Sequence, residues 1–472
     1  MNHLLLLLLA LIWSTGCGTA QSAVANGPVP NPLEQRRLDH IIIIFPENHT
    51  FDLLFGKFPG ANGLDSPGGI VPQVDQSGNV LATLPPVPGS KLPANLPNAP
   101  FLINPFYSET DIYPSPVHRF YQNLMQLNGD PLGEGRFGNF RMNMFVSAVG
   151  DEGTLAMGYY DTERLPLYPY AREFVLMDNF FGSQFGGSML GHFWLIAART
   201  PVWPNAAASL VLQPVFDAAG RLVGLNNPNG VVTPDGFAVE DAQPFYPPFA
   251  AGTPDDQRVP PQTNLTIGDL LNQKGVTWAW YSQGWNDAAA GNPSPDFIYH
   301  HQPFVYFEAY KPGTTLRANH LKDVEDFRKA LRDGTLPAVS FIKPMAGFDE
   351  HSGQSPIYGS EEYTVGLIEE VRNSPYWDSA AIFVTYDDFG GFYDHVPPVM
   401  EDRWGPGNRV PCLLISPLAR RGYVDHTLYN TQSILRLIED RFGLPALSER
   451  DRRATSVIGA FDLERFPNLL GP

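Results

Sequence analysis

The chain has 472 residues, of which 43% are hydrophobic and 12% aromatic. This apolar content is enough for a sizeable core and excludes a globally disordered chain. Aspartate and glutamate outnumber lysine and arginine by 49 to 31, so the net charge is −18. Nucleic-acid binding requires a basic surface, and anionic membrane surfaces repel acidic proteins. The charge therefore argues against both kinds of partner.

The first 25 residues predict a processing segment. A leucine-rich apolar run ends near Trp13, after about ten residues, whereas a membrane span requires roughly 20. Cleavage after Ala20 or Ala25 would release a soluble exported protein, whereas a loose lipobox ending at Cys17 would place a lipid anchor there. A buried N-terminal helix is a third interpretation. We expect export, as a periplasmic, secreted or outer-membrane lipoprotein, and no later stretch of sequence is apolar enough to span a membrane.

The two cysteines are Cys17 and Cys412. Because Cys17 falls in the export segment, the mature chain is expected to have no internal disulfide, and its core must supply the stability. Cys412 lies in an apolar run, which predicts a small buried hydrophobic residue and not a nucleophile.

Short apolar runs alternate with helical patterns along the chain. Runs of this length predict buried strands of a parallel sheet. They lie at residues 40–46, 174–177, 276–280, 338–342, 381–386 and 411–416. The clearest helical patterns lie at residues 161–173, 267–274, 322–332, 361–372 and 431–442. The alternation predicts an α/β fold with a covered sheet.

Two segments interrupt this alternation. Residues 57–116 and 201–262 are rich in proline, glycine and asparagine, which is typical of long loops. The second contains a short β-like piece at residues 209–216. We find no internal repeat and no low-complexity linker, so we expect a single domain over residues 34–472 with excursions at 57–116 and 201–262.

A polar segment follows the first predicted strand and contains Glu47 and Asn48. Open α/β sheets build their sites at the carboxyl ends of strands. A carboxylate beside an amide offers two hard oxygen ligands for a divalent cation. The alternative interpretation is that Glu47 and Asn48 only cap the next helix.

Two adjacent carboxylates, Asp387 and Asp388, end another predicted strand. They repel each other, so burial without a cation between them is unfavourable. Gly390 and Gly391 would let the backbone approach a ligand closely. A solvated acidic turn is the alternative, but two strand ends with two oxygen ligands each together predict one hard-metal site.

A third segment, Phe185 to His192, contains two glycines followed by Ser188 and an apolar run. This pattern is typical of a loop that enters a helix, and a helix N-terminus stabilises anions. Ser188 is therefore either a helix cap or a nucleophile at an anion site, with His192 one turn later on the same face. The G-x-S-x-G elbow is not matched, because Leu190 occupies its last glycine position. A metal-activated serine fits better than a Ser-His-Asp triad.

Other histidines accompany these segments. His118 begins an amphipathic stretch, and His300, His301 and His351 lie in loops bounded by proline or glycine. A lone histidine is usually structural, but these lie beside other polar residues and indicate a polar pocket. Imidazoles in such a pocket could bind phosphate oxygens or protonate a leaving group.

Several segments in this order resemble the bacterial phosphoesterase family, over about residues 38–451. They are ENHTFD, YHHQPF, DEHSG, TYDDFGGFYDHVPP and residues 409–444. The family contains phospholipases C and a respiratory-burst-inhibiting type of acid phosphatase. The resemblance implies an alkaline-phosphatase-like three-layer sandwich with a mostly parallel central sheet and long loop insertions.

The resemblance also implies the functional residues of a metal-dependent phosphoric ester hydrolase that acts through a phosphoserine. One divalent ion, with Ca²⁺, Mg²⁺ or Mn²⁺ favoured over Zn²⁺, would be held by Glu47, Asn48, Asp387 and Asp388. Ser188 would be the nucleophile. The histidines assigned to catalysis are His300, His301 and His351, and those assigned to phosphate binding are His118 and His192.

Departures from the family pattern bear on the substrate. The phospholipase branch has a GPT-x-PNR pattern at Ser188 and usually Asp-Glu where this chain has Asp387-Asp388, so we expect the acid-phosphatase branch. A phospholipase C that hydrolyses phosphatidylcholine is the alternative. A non-catalytic binding protein is less favoured, because each implied residue can perform its role. The remaining departures are His49-Thr50 for Arg-Ser, Asp349 and Ser352 for Asn and Pro in NEHPG, and Gly191 for Asn.

Overall fold

The computed structural model describes residues 36–148, 150 and 152–471. The predicted processing segment and Cys17 lie outside these residues. Within the described part of the chain, no helix has both the length and the apolar character that crossing a bilayer would require.

An eight-stranded sheet is the largest sheet of the fold. In chain order its strands are β1 (His40–Ile44), β2 (Val175–Met177), β3 (Trp278–Ser282), β4 (Leu321–Lys322), β5 (Val339–Lys343), β6 (Ala380–Thr385), β7 (Cys412–Ile415) and β8 (Tyr423–Asp425). Their order across the sheet is β4-β3-β5-β1-β6-β7-β2-β8. Only β7 runs antiparallel to its neighbours, β6 and β2. The predicted α/β fold with a mostly parallel sheet is confirmed.

Strand β1 lies at the middle of the parallel part of the sheet. It pairs in parallel with β5 on one side and with β6 on the other. Its four isoleucines, Ile41 to Ile44, are all buried, as expected for a strand covered on both faces. Because β5, β1 and β6 run in the same direction, their carboxyl ends meet at one edge of the sheet.

All six predicted runs overlap a strand of this sheet, although β3 begins two residues after the start of its predicted run and ends two residues beyond it. The prediction missed β4 and β8, which form the two outer edges and are only two and three residues long. Cys412 is buried in β7 as predicted. Burial raises the pKa of its thiol, which is the behaviour of an inert structural cysteine.

The helices fall between the strands. They are α1 (Phe51–Phe55), α2 (Phe120–Leu127), α3 (Tyr168–Glu173), α4 (Ser188–Ala197), α5 (Ile267–Gln273), α6 (Trp285–Ala289), α7 (Thr315–His320), α8 (Val324–Asp333), α9 (Ile357–Arg372), α10 (Thr431–Phe442) and α11 (Glu449–Arg453). Four of the five predicted helices match α5, α8, α9 and α10, of which α9 begins four residues early. The fifth, residues 161–173, was too long. Within this range only α3 is α-helical. Pro169 lies near its start and has no backbone N–H to donate to a preceding helical turn, so the helix does not extend further toward the N-terminus.

The two predicted excursions contain little regular structure. In residues 57–116 a short strand, Phe101–Leu102, pairs with Gly158–Tyr159. In residues 201–262 a hairpin joins Pro214–Phe216 to Leu222–Leu225. The side chain of Gln262 accepts from the backbone N of Val202 at 2.9 Å and donates to its carbonyl at 3.0 Å, which joins the two ends of this excursion.

Candidate active site

Polar side chains gather at the shared edge of β5, β1 and β6. Glu47 and Asn48 follow β1, and Asp387 and Asp388 follow β6. Asp387 Oδ1 accepts from the backbone N of Asn48 at 3.1 Å, so the two strand ends are joined directly. The structure thus brings the four predicted ligands together, and their role as ligands stays a prediction.

Neither alternative interpretation of these segments, a helix cap or a solvated acidic turn, fits the structure. The cap of α1 is Thr50, whose Oγ accepts from the backbone N of Leu53 at 3.3 Å, so Glu47 and Asn48 do not cap it. Asp387 and Asp388 are each only 1% exposed, which rules out a solvated turn.

The glycines after these carboxylates serve the packing of loops. Gly390 has φ +63°, and a Cβ there would clash with the carbonyl oxygen of Asn48. A Cβ at Gly391 would clash with the carbonyl oxygen of Val117. The backbone at these glycines therefore does approach other atoms closely, as predicted, but those atoms belong to other loops of the chain. This corrects the expectation that the glycines make room for a ligand. Gly191, one of the departures from the family, likewise admits the carbonyl of Asp387 against α4.

Ser188 is the first residue of α4, and the cap position belongs to Gly187. Its Oγ lies 2.8 Å from Glu47 Oε2, 3.1 Å from Asp388 Oδ2 and 3.5 Å from Asn48 Oδ1. A hydroxyl has one hydrogen to donate, so it satisfies at most one of these three oxygens. The helix-cap interpretation of Ser188 is therefore wrong, and its oxygen lies where three acceptors converge.

The charges around Ser188 are unbalanced. Burial, reinforced by the charge of Glu47, raises the pKa of Asp387 and of Asp388 well above the usual range. Burial opposes the charge of Glu47 as well, but Lys343 and His301 hold its pKa well below its usual value. Three buried carboxyl groups therefore lie around one ammonium group, Lys343, and without a further cation two of them are driven toward their protonated form. Such a set favours the binding of a cation.

Lys343, which sequence reasoning missed, is the last residue of β5. Its Nζ lies 2.7 Å from Glu47 Oε1 and 3.2 Å from Asp387 Oδ2. Although burial opposes the charge, Asp387 and Glu47 raise the pKa of this lysine, so it is cationic. Its signal was present in the sequence: residue 343 directly follows the predicted strand 338–342, which is the same strand-end position that pointed to Glu47.

The residues present fit a metal ion in two ways. One is the predicted set of oxygen ligands, beside which Lys343 alone does not balance the buried carboxyl groups. The other consists of Glu47, His192 and His301, whose ligand atoms lie within 4.8 Å of one another. His192 Nε2 is buried and has no hydrogen-bond partner among the described residues. Oxygen ligands suit Mg²⁺, Ca²⁺ or Mn²⁺, and imidazoles suit Zn²⁺.

The five predicted histidines form two groups. The rings of His192 and His301 stack with centroids 5.4 Å apart, and His300 meets both edge-on. In the second group, the rings of His118 and His351 lie edge-on with centroids 5.5 Å apart. The carbonyl of His118 lies beside Gly187, the residue before Ser188.

Backbone carbonyls fix four of these rings. In each case Nδ1 lies 2.6–3.0 Å from a carbonyl oxygen, which can only accept, so Nδ1 carries a hydrogen and Nε2 is left for other partners. The carbonyl partners of His118, His192, His301 and His351 belong in turn to Pro116, Ser188, Pro344 and Ser352. Burial lowers the pKa of His192 and His351, and it lowers that of His301 to about 3.

Asp349 stands where the family pattern has asparagine, and the effect of this replacement on the charge of the site is smaller than the formal charge of aspartate suggests. This side chain is buried, and its Oδ2 has no hydrogen-bond partner among the described residues. Burial, together with the charge of Glu47, raises the pKa of Asp349 to about 8. This shift favours the uncharged form of Asp349, which has the same charge as the asparagine typical of the family.

A second acidic cluster lies behind the loop after β6. Asp52, Asp394 and His395 are near enough to share an ion, but Arg409 already lies among them. Its Nε donates to both oxygens of Asp394 at 3.1 Å, and its Nη2 donates to Asp52 at 2.9 Å. This cluster is a buried ion-pair network that joins the loop to α1.

Comparisons with known proteins identify the family to which this chain is similar. The model of the Phosphoesterase family matches residues 38–445. Phospholipase C A of Mycobacterium tuberculosis is 24% identical, over 96% of this chain and 82% of its own. The non-hemolytic phospholipase C of Pseudomonas aeruginosa is 22% identical over 90% of this chain and 59% of its own. A probable acid phosphatase of Kluyveromyces lactis is 26% identical over 42% of this chain and 46% of its own.

Among solved structures, a protein of the alkaline phosphatase superfamily from Vibrio parahaemolyticus aligns with a TM-score of 0.31 and 12% identity. The alignment covers 72% of this chain and 71% of the other. A phosphonate monoester hydrolase from Silicibacter pomeroyi aligns with a TM-score of 0.25 and 10% identity, over 59% of this chain and 68% of its own.

Proposed function

The chain belongs to the Phosphoesterase family and is a hydrolase of phosphoric esters, and from this premise we propose that it acts with a divalent metal ion through a phosphoserine on Ser188. One observation carries the proposal. The oxygen of Ser188 lies at the start of a helix, 2.8 Å from the buried carboxylate of Glu47. A nucleophile therefore stands beside an acceptor for its proton, at a position where helix N–H groups favour a phosphate.

In the first half-reaction, the proton of the Ser188 hydroxyl passes to Glu47. The oxygen attacks phosphorus, the Ser188–phosphorus bond forms, and the bond to the leaving alcohol breaks. His300, in its protonated form beside the carboxylate of Asp241, then gives a ring proton to the departing oxygen. Nδ1 bonds to backbone carbonyls hold the rings of His118 and His351 in position.

In the second half-reaction, water attacks the phosphoserine. The histidine that gave up its proton is now neutral and accepts one proton of the water. The Ser188–phosphorus bond breaks, and the serine oxygen recovers its proton from Glu47. Phosphate, or a phosphate monoester when the substrate is a diester, is released and the site is restored.

The candidate ligands for the metal ion are Glu47, Asn48, Asp387 and Asp388. When bound there, a divalent cation would lower the pKa of the serine hydroxyl and offset the charge of the phosphate. Lys343 contributes a fixed positive charge to the same cluster, beside Glu47 and Asp387.

Our main proposal for the substrate is a phosphate monoester, as for the acid-phosphatase branch. Hydrolysis of phosphatidylcholine is the second candidate, and it is favoured by the similarity to Phospholipase C A over 96% of this chain. The two substrates require the same nucleophile and differ in the charge on phosphorus and in the size of the alcohol.

A comparison of substrates tests the two candidates. We expect the purified protein with added divalent metal to release p-nitrophenol from p-nitrophenyl phosphate faster than it releases phosphocholine from phosphatidylcholine vesicles. The reverse order would replace the main proposal with the second candidate. Hydrolysis of neither compound would contradict both.

We also propose that the protein is exported. The leucine-rich run and the small residues before Ala20 and Ala25 support this proposal. Mass spectrometry of protein from its native host is expected to find a new N-terminus near Gln21, Val24 or Asn26, or a lipidated Cys17. Cytosolic protein that retains Met1 would contradict export.

A further inference from the structure

A carboxylate from the second excursion lies at the start of α4. The Oδ1 of Asp241 accepts from the backbone N of Met189, the residue after the proposed nucleophile, at 3.0 Å. The same oxygen lies 3.9 Å from Nδ1 of His300, and the Asp241 side chain is 55% exposed. Asp241 is therefore open to solvent and in contact with two residues of the candidate site.

The position of this carboxylate opposes the binding of an anion. The first N–H groups of a helix are the donors that a phosphate would use, and Asp241 already occupies the one on Met189. Among the described residues, the ion-pair partner of Asp241 is His300. The nearby Arg119 pairs instead with Glu240, at 3.7 Å.

The charge of Asp241 lies next to the helix N–H groups that a phosphate would contact. The interaction of two charges grows in proportion to each charge. A phosphate monoester carries nearly two negative charges at neutral pH, whereas a diester carries one. The repulsion from Asp241 is therefore stronger for a monoester than for a diester.

We propose that Asp241 is a specificity-determining residue that disfavours phosphoesters with additional negative charge and so narrows the preference of the site for monoesters over diesters. This inference rests on the proposed function, because it needs phosphate to bind at Ser188. Selectivity then depends on one exposed side chain of the excursion, while the groups that perform the chemistry come from the strand ends and α4.

Three variants separate charge from geometry. Asp241→Asn removes the charge and keeps an acceptor oxygen for the N–H of Met189. Asp241→Glu keeps the charge. Asp256→Asn is the matched control, because it removes an exposed carboxylate from the short turn Asp255–Gln257 of the same excursion. Each protein is assayed with p-nitrophenyl phosphate and bis(p-nitrophenyl) phosphate, which share one leaving group, at about pH 8, where the monoester is a dianion.

The measured quantity is the ratio of kcat/KM for the monoester to that for the diester. We expect Asp241→Asn to raise this ratio about tenfold or more, since the variant removes a negative charge beside the helix N–H groups that would bind the phosphate. Asp241→Glu should keep it within about threefold, and Asp256→Asn should leave it unchanged. The ratio does not depend on the fraction of active protein, so partial misfolding does not obscure the result.

An unchanged ratio in Asp241→Asn would overturn the inference, and so would an equal rise in Asp241→Glu, which would assign the effect to geometry. If a variant loses turnover, calorimetry with inorganic phosphate decides: tighter binding to Asp241→Asn than to wild type is expected, and equal or weaker binding is contrary to the inference. A wild-type protein that hydrolyses neither ester would instead contradict the proposed function, and with it the inference.

Discussion

Replacing Ser188 with alanine is expected to lower turnover by several orders of magnitude. The methyl group cannot form a bond to phosphorus, so water would have to attack the ester directly. Metal content should survive, because the predicted ligands Glu47, Asn48, Asp387 and Asp388 are unchanged. The loss is measured with p-nitrophenyl phosphate, alongside metal analysis of the same preparation.

A control and a trapping experiment make this result specific. Ser183→Ala removes another buried hydroxyl from the loop before α4, and that hydroxyl has no hydrogen-bond partner among the described residues. We expect the control to keep near-normal turnover. Acid quenching of the wild type should trap phosphate on the peptide that contains Ser188, provided that hydrolysis of the intermediate is not much faster than its formation. A Ser188→Ala protein that retains more than about half of wild-type turnover would exclude Ser188 as the nucleophile.

The central strands of the sheet could be predicted because most of their residues are apolar. Ile41 to Ile44 form an unbroken apolar run that is buried on both faces. The edge strands β4 and β8 could not be found in this way, since two or three residues are too few for a pattern. The path of the second excursion was also beyond prediction. Asp241 reaches Met189, 52 residues earlier in the chain, through tertiary packing that no local pattern records.

The candidate site followed from one rule, that polar residues at neighbouring parallel strand ends lie together. This rule placed Glu47 and Asn48 beside Asp387 and Asp388, and it would have placed Lys343 there too. The environment of the histidines could not be predicted, because it depends on which backbone carbonyl meets each Nδ1. The carbonyl of Pro344, which holds His301, lies 43 residues away in the chain.

Replacing Asp387 with alanine is expected to remove both the bound metal and turnover while the fold remains intact. Asp387 lies just beyond the end of β6, outside the paired part of the strand. Its loss leaves Lys343 facing a cluster with one carboxylate fewer, so the attraction for a divalent cation falls. Elemental analysis should find one divalent ion per wild-type chain and almost none in Asp387→Ala, with far-ultraviolet circular dichroism as the check on folding. Asp256→Ala, at an exposed carboxylate, is the control and should keep its metal.

A second variant identifies which donor set holds the ion. If the oxygen ligands hold it, His192→Ala should retain about one equivalent of Mg²⁺, Ca²⁺ or Mn²⁺, because His192 is not among them. If Glu47, His192 and His301 hold it, His192→Ala should lose the ion, and the wild type should contain Zn²⁺. Chelation should abolish turnover, and re-addition of the native ion should restore it. Full turnover in protein shown to be metal-free would contradict the metal-dependent mechanism for either donor set. In that case the charge of Lys343 would be sufficient, without a metal ion, to offset the charges of Glu47, Asp387 and the substrate.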